Sequence, residues 1–210
     1  MTDNTTWVLV AIIGYLLGSI PSAWLIARLH GVNIFEVGSG NMGGTNVARA
    51  VSPRAGQIVG VMDLAKSIVA ILIARALAPG DEAGATVLAT LACMVGHNWS
   101  VIVLLLTRQL RGGKGAAVLF GSLLLVAPLQ FIVSLALGLA LLRLTRYMSL
   151  AVLSGVTLVM AWVLVMVNAG ELPEIYNVYA IAGALLIYIR FLGNIRRLLA
   201  GTERRVGESA

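Results

Sequence analysis

The sequence predicts an all-α fold: a polytopic membrane protein of seven transmembrane helices, with a short helical hairpin at about residues 115–142. Three observations lead there. First, 59% of the 210 residues are hydrophobic and only 11% are charged, too apolar a composition for a soluble domain of this length. Second, the apolar residues run in long charge-free stretches, and a bilayer core of ~30 Å needs about 20 such residues per helix, which allows roughly six or seven crossings. Third, most Lys and Arg residues sit in the short segments between those stretches. The chain, 1–210, therefore reads as one integral-membrane domain with no length left for a soluble one.

Residues 4–27 carry no charge, and Trp7 and Trp24 fall near the two ends, where amphipathic rings favour the membrane interface; this is the first span. Asp3 and the lack of a basic leader before this long apolar run argue against a cleaved signal peptide. Residues 28–54 then hold Arg28, His30, Glu36, Arg49 and Arg54 around a glycine-rich loop, outside the hydrocarbon. The second span covers about 55–78, and within it Asp63 and Lys66 share a helix face and are expected to pair. Pro79-Gly80-Asp81-Glu82 is an acidic turn before a third charge-free span, 83–107.

Arg108, Arg111 and Lys114 follow, then a charge-free run over 115–142, then Arg143 and Arg146. The positive-inside rule puts both basic clusters in the cytoplasm, so the run between them crosses an even number of times. Pro128 supplies the break, giving short helices over about 115–127 and 129–142 that need tilt or local membrane thinning. Residues 147–170 form the sixth span, and Glu171-Leu172-Pro173-Glu174 is a second acidic turn. The seventh begins near Ile175 and stays charge-free up to Arg190, after which Asn194, Arg196, Arg197, Glu203, Arg204 and Arg205 make a basic tail. Seven segments place the N-terminus outside and the C-terminus inside.

The net charge of +6 is divided among inter-helix segments, which fits membrane orientation rather than a nucleic-acid partner. Cys93 is the only cysteine and lies in an apolar run, so an intramolecular disulfide is excluded and a small buried side chain is expected. No compact His, Cys, Asp and Glu constellation suggests a metal site, and no internal repeat suggests an inverted-repeat transporter.

The orientation gathers every anion-binding candidate on one membrane face. In Gly38-Ser39-Gly40-Asn41-Met42-Gly43-Gly44-Thr45-Asn46 the glycines admit a close ligand, Ser39, Asn41, Thr45 and Asn46 supply neutral donors, and Arg49 adds a planar fork for phosphate oxygens. The embedded G-x-G-x-x-G marks a dinucleotide site only after a strand, and here a long apolar helix precedes it. A structural membrane-edge loop is the plain alternative. Arg111-Gly112-Gly113-Lys114-Gly115 resembles the end of a P-loop but lacks a Ser or Thr after Lys114, so it is no nucleotide loop. A lysine among glycines at a helix start still suits phosphate. Gly96-His97-Asn98-Trp99-Ser100 sets polar groups inside the third apolar segment, where helix pairing and function are both open to His97. Asp63 and Lys66 read as a packing pair rather than a proton relay.

Together these pieces resemble the bacterial integral-membrane glycerol-3-phosphate acyltransferases that use acyl phosphate as donor. The resemblance is carried by Ser39-Gly40-Asn41-Met42-Gly43-x-Thr45-Asn46-x-x-Arg49, by Gly96-His97 followed by Gly112-Gly113-Lys114-Gly115, and by Asn194-Ile195-x-Arg197-Leu198-x-x-Gly201-x-Glu203. Gly18-Ser19-Ile20-Pro21-Ser22, Asp63-Leu64-Ala65-Lys66 and Arg146-Tyr147-Met148-Ser149-Leu150 also look like family features, so the likeness covers nearly the whole chain. The sequence departs from the pattern at Ser100, where proline is usual, at Ser67 for glycine, at Phe191 for histidine, at Val152 for serine, and in a longer interval between His97 and Gly112.

The resemblance implies seven membrane helices, a cytoplasmic active site, acyl phosphate and glycerol 3-phosphate as substrates, the bilayer as surroundings, no cofactor and no metal. It implies that Ser39, Asn41, Thr45, Asn46, Arg49, Lys114, Ser149 and Asn194 line the site; Arg49, Lys114, Ser149 and His97 are read as catalytic, Ser39, Gly40, Asn41, Thr45, Asn46, Gly112, Gly113, Asn194 and Glu203 as binding substrate phosphate, and His97 and Glu203 are the reserve candidates for acid/base or orienting roles. Phosphate is a good leaving group, so no protein nucleophile is required, and a G-x-S-x-G elbow is indeed absent. Two other readings remain: a transporter of organic phosphate or lipid, which has no positive signal, and a catalytically lapsed homologue, for which Phe191 speaks.

Overall fold

The computed structural model describes residues 3–207. Those residues form ten helices and no strand: α1 Asn4–Ser19, α2 Ser22–Leu29, α3 Gly44–Ala50, α4 Pro53–Leu77, α5 Glu82–Asn98, α6 Val101–Thr107, α7 Ala116–Val126, α8 Pro128–Thr145, α9 Met148–Asn168 and α10 Tyr176–Leu199. Six stretches are long and apolar enough to cross a bilayer, namely Asn4–Leu29, Pro53–Leu77, Glu82–Thr107, Pro128–Thr145, Met148–Asn168 and Tyr176–Leu199; with the shorter apolar α7 they match the seven expected segments. The chain divides inside α7 into two compact units, the first ending at Ser122 and the second beginning at Leu123.

In the first unit two of the expected spans are broken helices. Pro21 lacks an N–H and ends α1 at Ser19, while Ser100 ends the α5 path and caps α6 by accepting from the Val103 N–H at 3.1 Å. Breaking a helix frees carbonyls that an apolar interior cannot solvate. Each is met from a neighbouring element: the Ser100 hydroxyl donates to Ser19 O at 2.6 Å, Lys66 Nζ to Ile20 O at 3.2 Å and the Tyr15 hydroxyl to Trp99 O at 2.9 Å. Serine at 100 thus supplies a donor that proline would lack. α1 and α5 approach through small residues: a Cβ on Gly18 would overlap the Cys93 carbonyl, and one on Gly96 the Tyr15 carbonyl. Cys93 is fully buried at this contact, as expected of it.

The segment between α2 and α4, expected as a loop outside the hydrocarbon, is a folded cap. Ile34, Met42 and Val47 are fully buried against Ala23, Ala27, Ala55, Val59 and Val103, with Trp24 and Phe35 packed alongside. Its second half is helix α3, which lies so close to α4 that a Cβ on Gly56 would overlap Ala48 and the Gly44 carbonyl. Ser52 and Pro53 start α4 just before the expected position, the Ser52 hydroxyl accepting from the Ala55 N–H at 3.2 Å.

In the second unit the Ser134 hydroxyl of α8 donates to Gly155 O of α9 at 2.6 Å, and Thr157 of α9 hydrogen-bonds Tyr188 of α10. Leu129, Ile132, Leu139, Val165, Ile181 and Leu185 are exposed, the surface a lipid-facing helix presents. Two expectations need correction here. α8 starts at Pro128, where the missing N–H is harmless, and runs 18 residues to Thr145 instead of stopping at 142. α10 continues past Arg190 to Leu199, so Asn194, Arg196 and Arg197 are helical and the true tail starts after them. Charge ended the apolar pattern, but Arg and Leu are good helix formers and nothing breaks the helix until Gly201, at φ +69°.

Candidate active site

The glycine loop of the first unit is pinned by one side chain. Asn46, buried on α3, accepts from the Ser39 N–H at 3.0 Å and donates its amide to Ile34 O at 3.2 Å and Val37 O at 3.1 Å. Gly38, at φ +57°, leaves room for it, because a Cβ there would overlap Asn46 Oδ1. Asn46 therefore shapes the loop from within. Ser39 is exposed and its hydroxyl accepts from the Asn41 N–H at 3.4 Å. Thr45 and Arg49 ride on α3, both half-buried, with Arg49 in its last turn.

The same unit holds a buried polar chain. Asp63 Oδ1 accepts from the Ser22 hydroxyl at 2.9 Å and pairs with Lys66 Nζ at 2.9 Å. Lys66 Nζ also lies 2.8 Å from His97 Nδ1, while His97 Nδ1 and Asp63 Oδ1 are 3.7 Å apart, beyond a hydrogen bond. All four residues are buried. The expected Asp63–Lys66 pair is present, and its extension to Ser22 and His97 is what the sequence did not disclose.

The Gly112–Gly113 pair closes on the same place. The Gly113 N–H donates to His97 O at 2.9 Å, and the Arg111 carbonyl accepts from the Ser100 N–H at 3.2 Å, so backbone bonds clasp the loop to the break after α5. A Cβ on Gly113 would overlap His97 Nε2 and lie 2.7 Å from Met42 O, which makes glycine obligatory between the histidine ring and the first loop. Arg111 stacks its guanidinium 5.5 Å from the Phe35 ring centre, tying the pair to the cap. Lys114, half-buried, follows directly and precedes the N-terminus of α7. Ser39, Gly40, Asn41, Thr45, Asn46, Arg49, His97, Gly112, Gly113 and Lys114 thus belong to one unit, in which the first loop, the histidine and the glycine pair touch at Met42 and Gly113.

The remaining predicted residues cluster in the second unit. Glu203 Oε1 accepts from the Ser149 hydroxyl at 2.9 Å and from the Asn194 amide at 2.6 Å, and Glu203 Oε2 from Arg197 Nε at 2.7 Å. Burial pushes the Glu203 pKa up, but the hydrogen bonds from Asn194, Ser149 and Arg197 and the Arg197 charge outweigh it, and the carboxyl sits below its usual range. The tail that carries Glu203 is strapped to the end of α8. Arg146, at φ +62°, donates from Nε (3.1 Å) and Nη2 (2.7 Å) to Val206 O, and its own carbonyl accepts from the Val206 N–H at 2.7 Å. Arg205 lies 5.4 Å from the Tyr147 ring centre. Arg197 and Arg146 each stand inside a motif quoted from the sequence without being named as site residues; what the sequence did not signal is the return of the tail, through Val206, onto Arg146.

Comparisons with known proteins identify the family. The family described as glycerol-3-phosphate acyltransferase matches residues 8–201. A protein of Thermus thermophilus named glycerol-3-phosphate acyltransferase is 40% identical, with 98% of each chain covered. The crystal structure of PlsY (YgiH), an integral membrane glycerol 3-phosphate acyltransferase, superposes in its glycerol 3-phosphate form with a TM-score of 0.84 at 34% identity, covering 96% of each chain. Its lysophosphatidic acid form gives 0.82 at the same identity, covering 95% of this chain and 94% of that one. This multi-pass integral membrane protein belongs to the glycerol-3-phosphate acyltransferase family.

Proposed function

We propose that the protein transfers an acyl group from acyl phosphate to glycerol 3-phosphate, releasing inorganic phosphate and giving lysophosphatidate, the first step of phospholipid synthesis. The observation that carries this is the meeting of two glycine-lined loops, each followed by a cation, at Met42, Gly113 and His97. The glycerol hydroxyl attacks the acyl carbon, the bond from that carbon to the phosphate oxygen breaks, and the hydroxyl proton passes to an oxygen of the departing phosphate. The reaction balances with no cofactor. Arg49 and Lys114 stabilise charge on the leaving phosphate, with Ser39, Asn41, Thr45 and the Gly40, Gly112 and Gly113 backbone orienting its oxygens. Asn46 serves by holding the loop. Ser149, Asn194 and Glu203 serve the same reaction by orienting substrate oxygens, and the single family match over 8–201 supports reading 1–210 as one catalytic domain.

The test is turnover by purified protein in detergent, given glycerol 3-phosphate with acyl phosphate, acyl-CoA or acyl carrier protein in turn. Lysophosphatidate and phosphate are expected in equal amounts from acyl phosphate alone. Phosphate uptake into sealed proteoliposomes without acyl transfer would establish transport instead. For location we infer a bacterial cytoplasmic membrane, with the N-terminus outside and the C-terminus and active site facing the cytoplasm. Since Cys93 is buried, cysteines introduced at Gly80 and Leu172 should label from outside intact cells and those at Val32 and Leu199 should not; the opposite pattern reverses the orientation.

A further inference from the structure

We infer that Lys66 is a positioning residue for the reaction proposed above: anchored by Asp63 and the Ile20 carbonyl, it donates into His97 Nδ1 and so holds the ring as the tautomer that carries its proton on Nε2, facing Gly113 and the Met42 carbonyl. An ammonium has three donors and no acceptor. Three acceptors surround Lys66 Nζ: Asp63 Oδ1 at 2.9 Å, Ile20 O at 3.2 Å and His97 Nδ1 at 2.8 Å. At 2.9 Å the Lys66 amine and the Asp63 carboxylate form an ion pair, so Lys66 enters the cluster as a donor of N–H groups only. The histidine nitrogen facing the ammonium must then be the bare one, and the proton resides on the other.

The alternative donor arrangement fails on distance. Were Nδ1 protonated, its nearest anion would be Asp63 Oδ1 at 3.7 Å, and its 2.8 Å neighbour would be a cation. Of the neighbouring groups, Ser22 is committed to Asp63, and Cys93, one turn before His97 on α5, is buried where α5 meets Gly18 of α1. The other face of the ring meets the loops. Because Gly113 has no side chain, Nε2 comes up against Gly113, and the Met42 carbonyl of the first loop borders the same point, so an N–H on Nε2 lies where the two loops meet. The position explains why a charged pair sits within an apolar helix, a role helix packing alone does not require.

The chain has two histidines, so protein labelled with ¹⁵N-histidine gives two rings, and His30→Gln leaves the signal of His97 alone. Expected in the wild type is a protonated Nε2 and a bare Nδ1; a protonated Nδ1 overturns the inference outright. In Lys66→Met the Nδ1 shift should move and the ring should sample both tautomers, with kcat/KM for glycerol 3-phosphate falling about 10- to 100-fold as the loops lose registry. Lys66→Arg keeps a donor and should keep the tautomer. If Lys66→Met does not fold, the double variant Asp63→Leu with Lys66→Met removes the donor without leaving a buried charge and reads the same signal. An unchanged ring spectrum in either variant sinks the idea. Wild-type protein with the expected tautomer but no acyl transfer from any donor would instead refute the proposed reaction and leave the positioning geometry standing.

Discussion

The two polar clusters solve the same electrostatic problem in opposite ways. Asp63 and Lys66 are a carboxylate and an ammonium with side chains each 4% exposed, built into α4 and completed by α2, the break after α1 and His97 of α5. Glu203 is 6% exposed in its side chain, yet its partner Arg197 is 44% exposed, and the carboxylate is delivered by a tail that folds back on the end of α8. In the first cluster both charges have left water, so each depends on the other and on the buried dipoles of Ser22, Ile20 O and His97. In the second, water screens the ion pair and the neutral donors Ser149 and Asn194 carry much of the load. The lesson is that the first cluster is a fixed frame whose disruption is costly, whereas the second is adjustable and exposed to solution conditions.

The largest expected effect follows from the first half of that contrast. Asp63→Leu leaves a buried ammonium without its counter-charge, and the expected loss is about 3–5 kcal/mol of stability. Adding Lys66→Met should recover much of it, since a buried pair replaced by apolar residues of similar size is often close to neutral. Thermal unfolding of both variants in one detergent checks this. A single variant as stable as the wild type would show that water reaches the pair and would erase the distinction between the clusters.

Next in size are the cations of the loops. Arg49→Lys keeps charge but loses the planar fork, and a drop in turnover of about 10- to 1,000-fold, equivalent to roughly 1.4–4 kcal/mol, is expected. Lys114→Ala should cost at least as much. Steady-state kinetics with acyl phosphate and glycerol 3-phosphate, on protein shown to be folded, measures both. Near-normal rates in both would reduce the glycine loops to structural bends.

The same contrast explains what the sequence disclosed. Spans were legible because the bilayer demands long apolar runs, and the pairing of Asp63 with Lys66 because three residues along a helix is a local relation. The breaks at Pro21 and Ser100 were not legible, since helix capping by a lone serine and rescue of freed carbonyls by Tyr15 and Lys66 depend on contacts across many residues. The glycine motifs announced where anions could approach, but that Asn46 is spent inside the loop emerges only from its bonds to Ile34, Val37 and Ser39. The departure at Phe191 also gains a physical description: it is buried on α10, three residues before Asn194 and so on the same face.

Smaller effects belong to the adjustable cluster, and acid separates them. Because the folded-state pKa of Glu203 is lowered, its contribution to stability is fully present above the usual carboxylate range and is lost as pH falls below about 4.3 and through the folded value. Glu203→Gln should therefore lower stability at neutral pH and flatten this acid limb, with the gap to wild type closing as pH drops. Arg197→Ala is the milder probe: the guanidinium is partly in water, so about 0.2–1 kcal/mol is expected, and high salt should shrink the difference further. The two readings diverge cleanly in a denaturation series at low and high salt. If Arg197→Ala costs as much as Asp63→Leu and ignores salt, the Glu203 cluster is as dry as the Lys66 one, and Ser149 and Asn194 are then held by a fixed frame rather than by a tail that solution conditions can loosen.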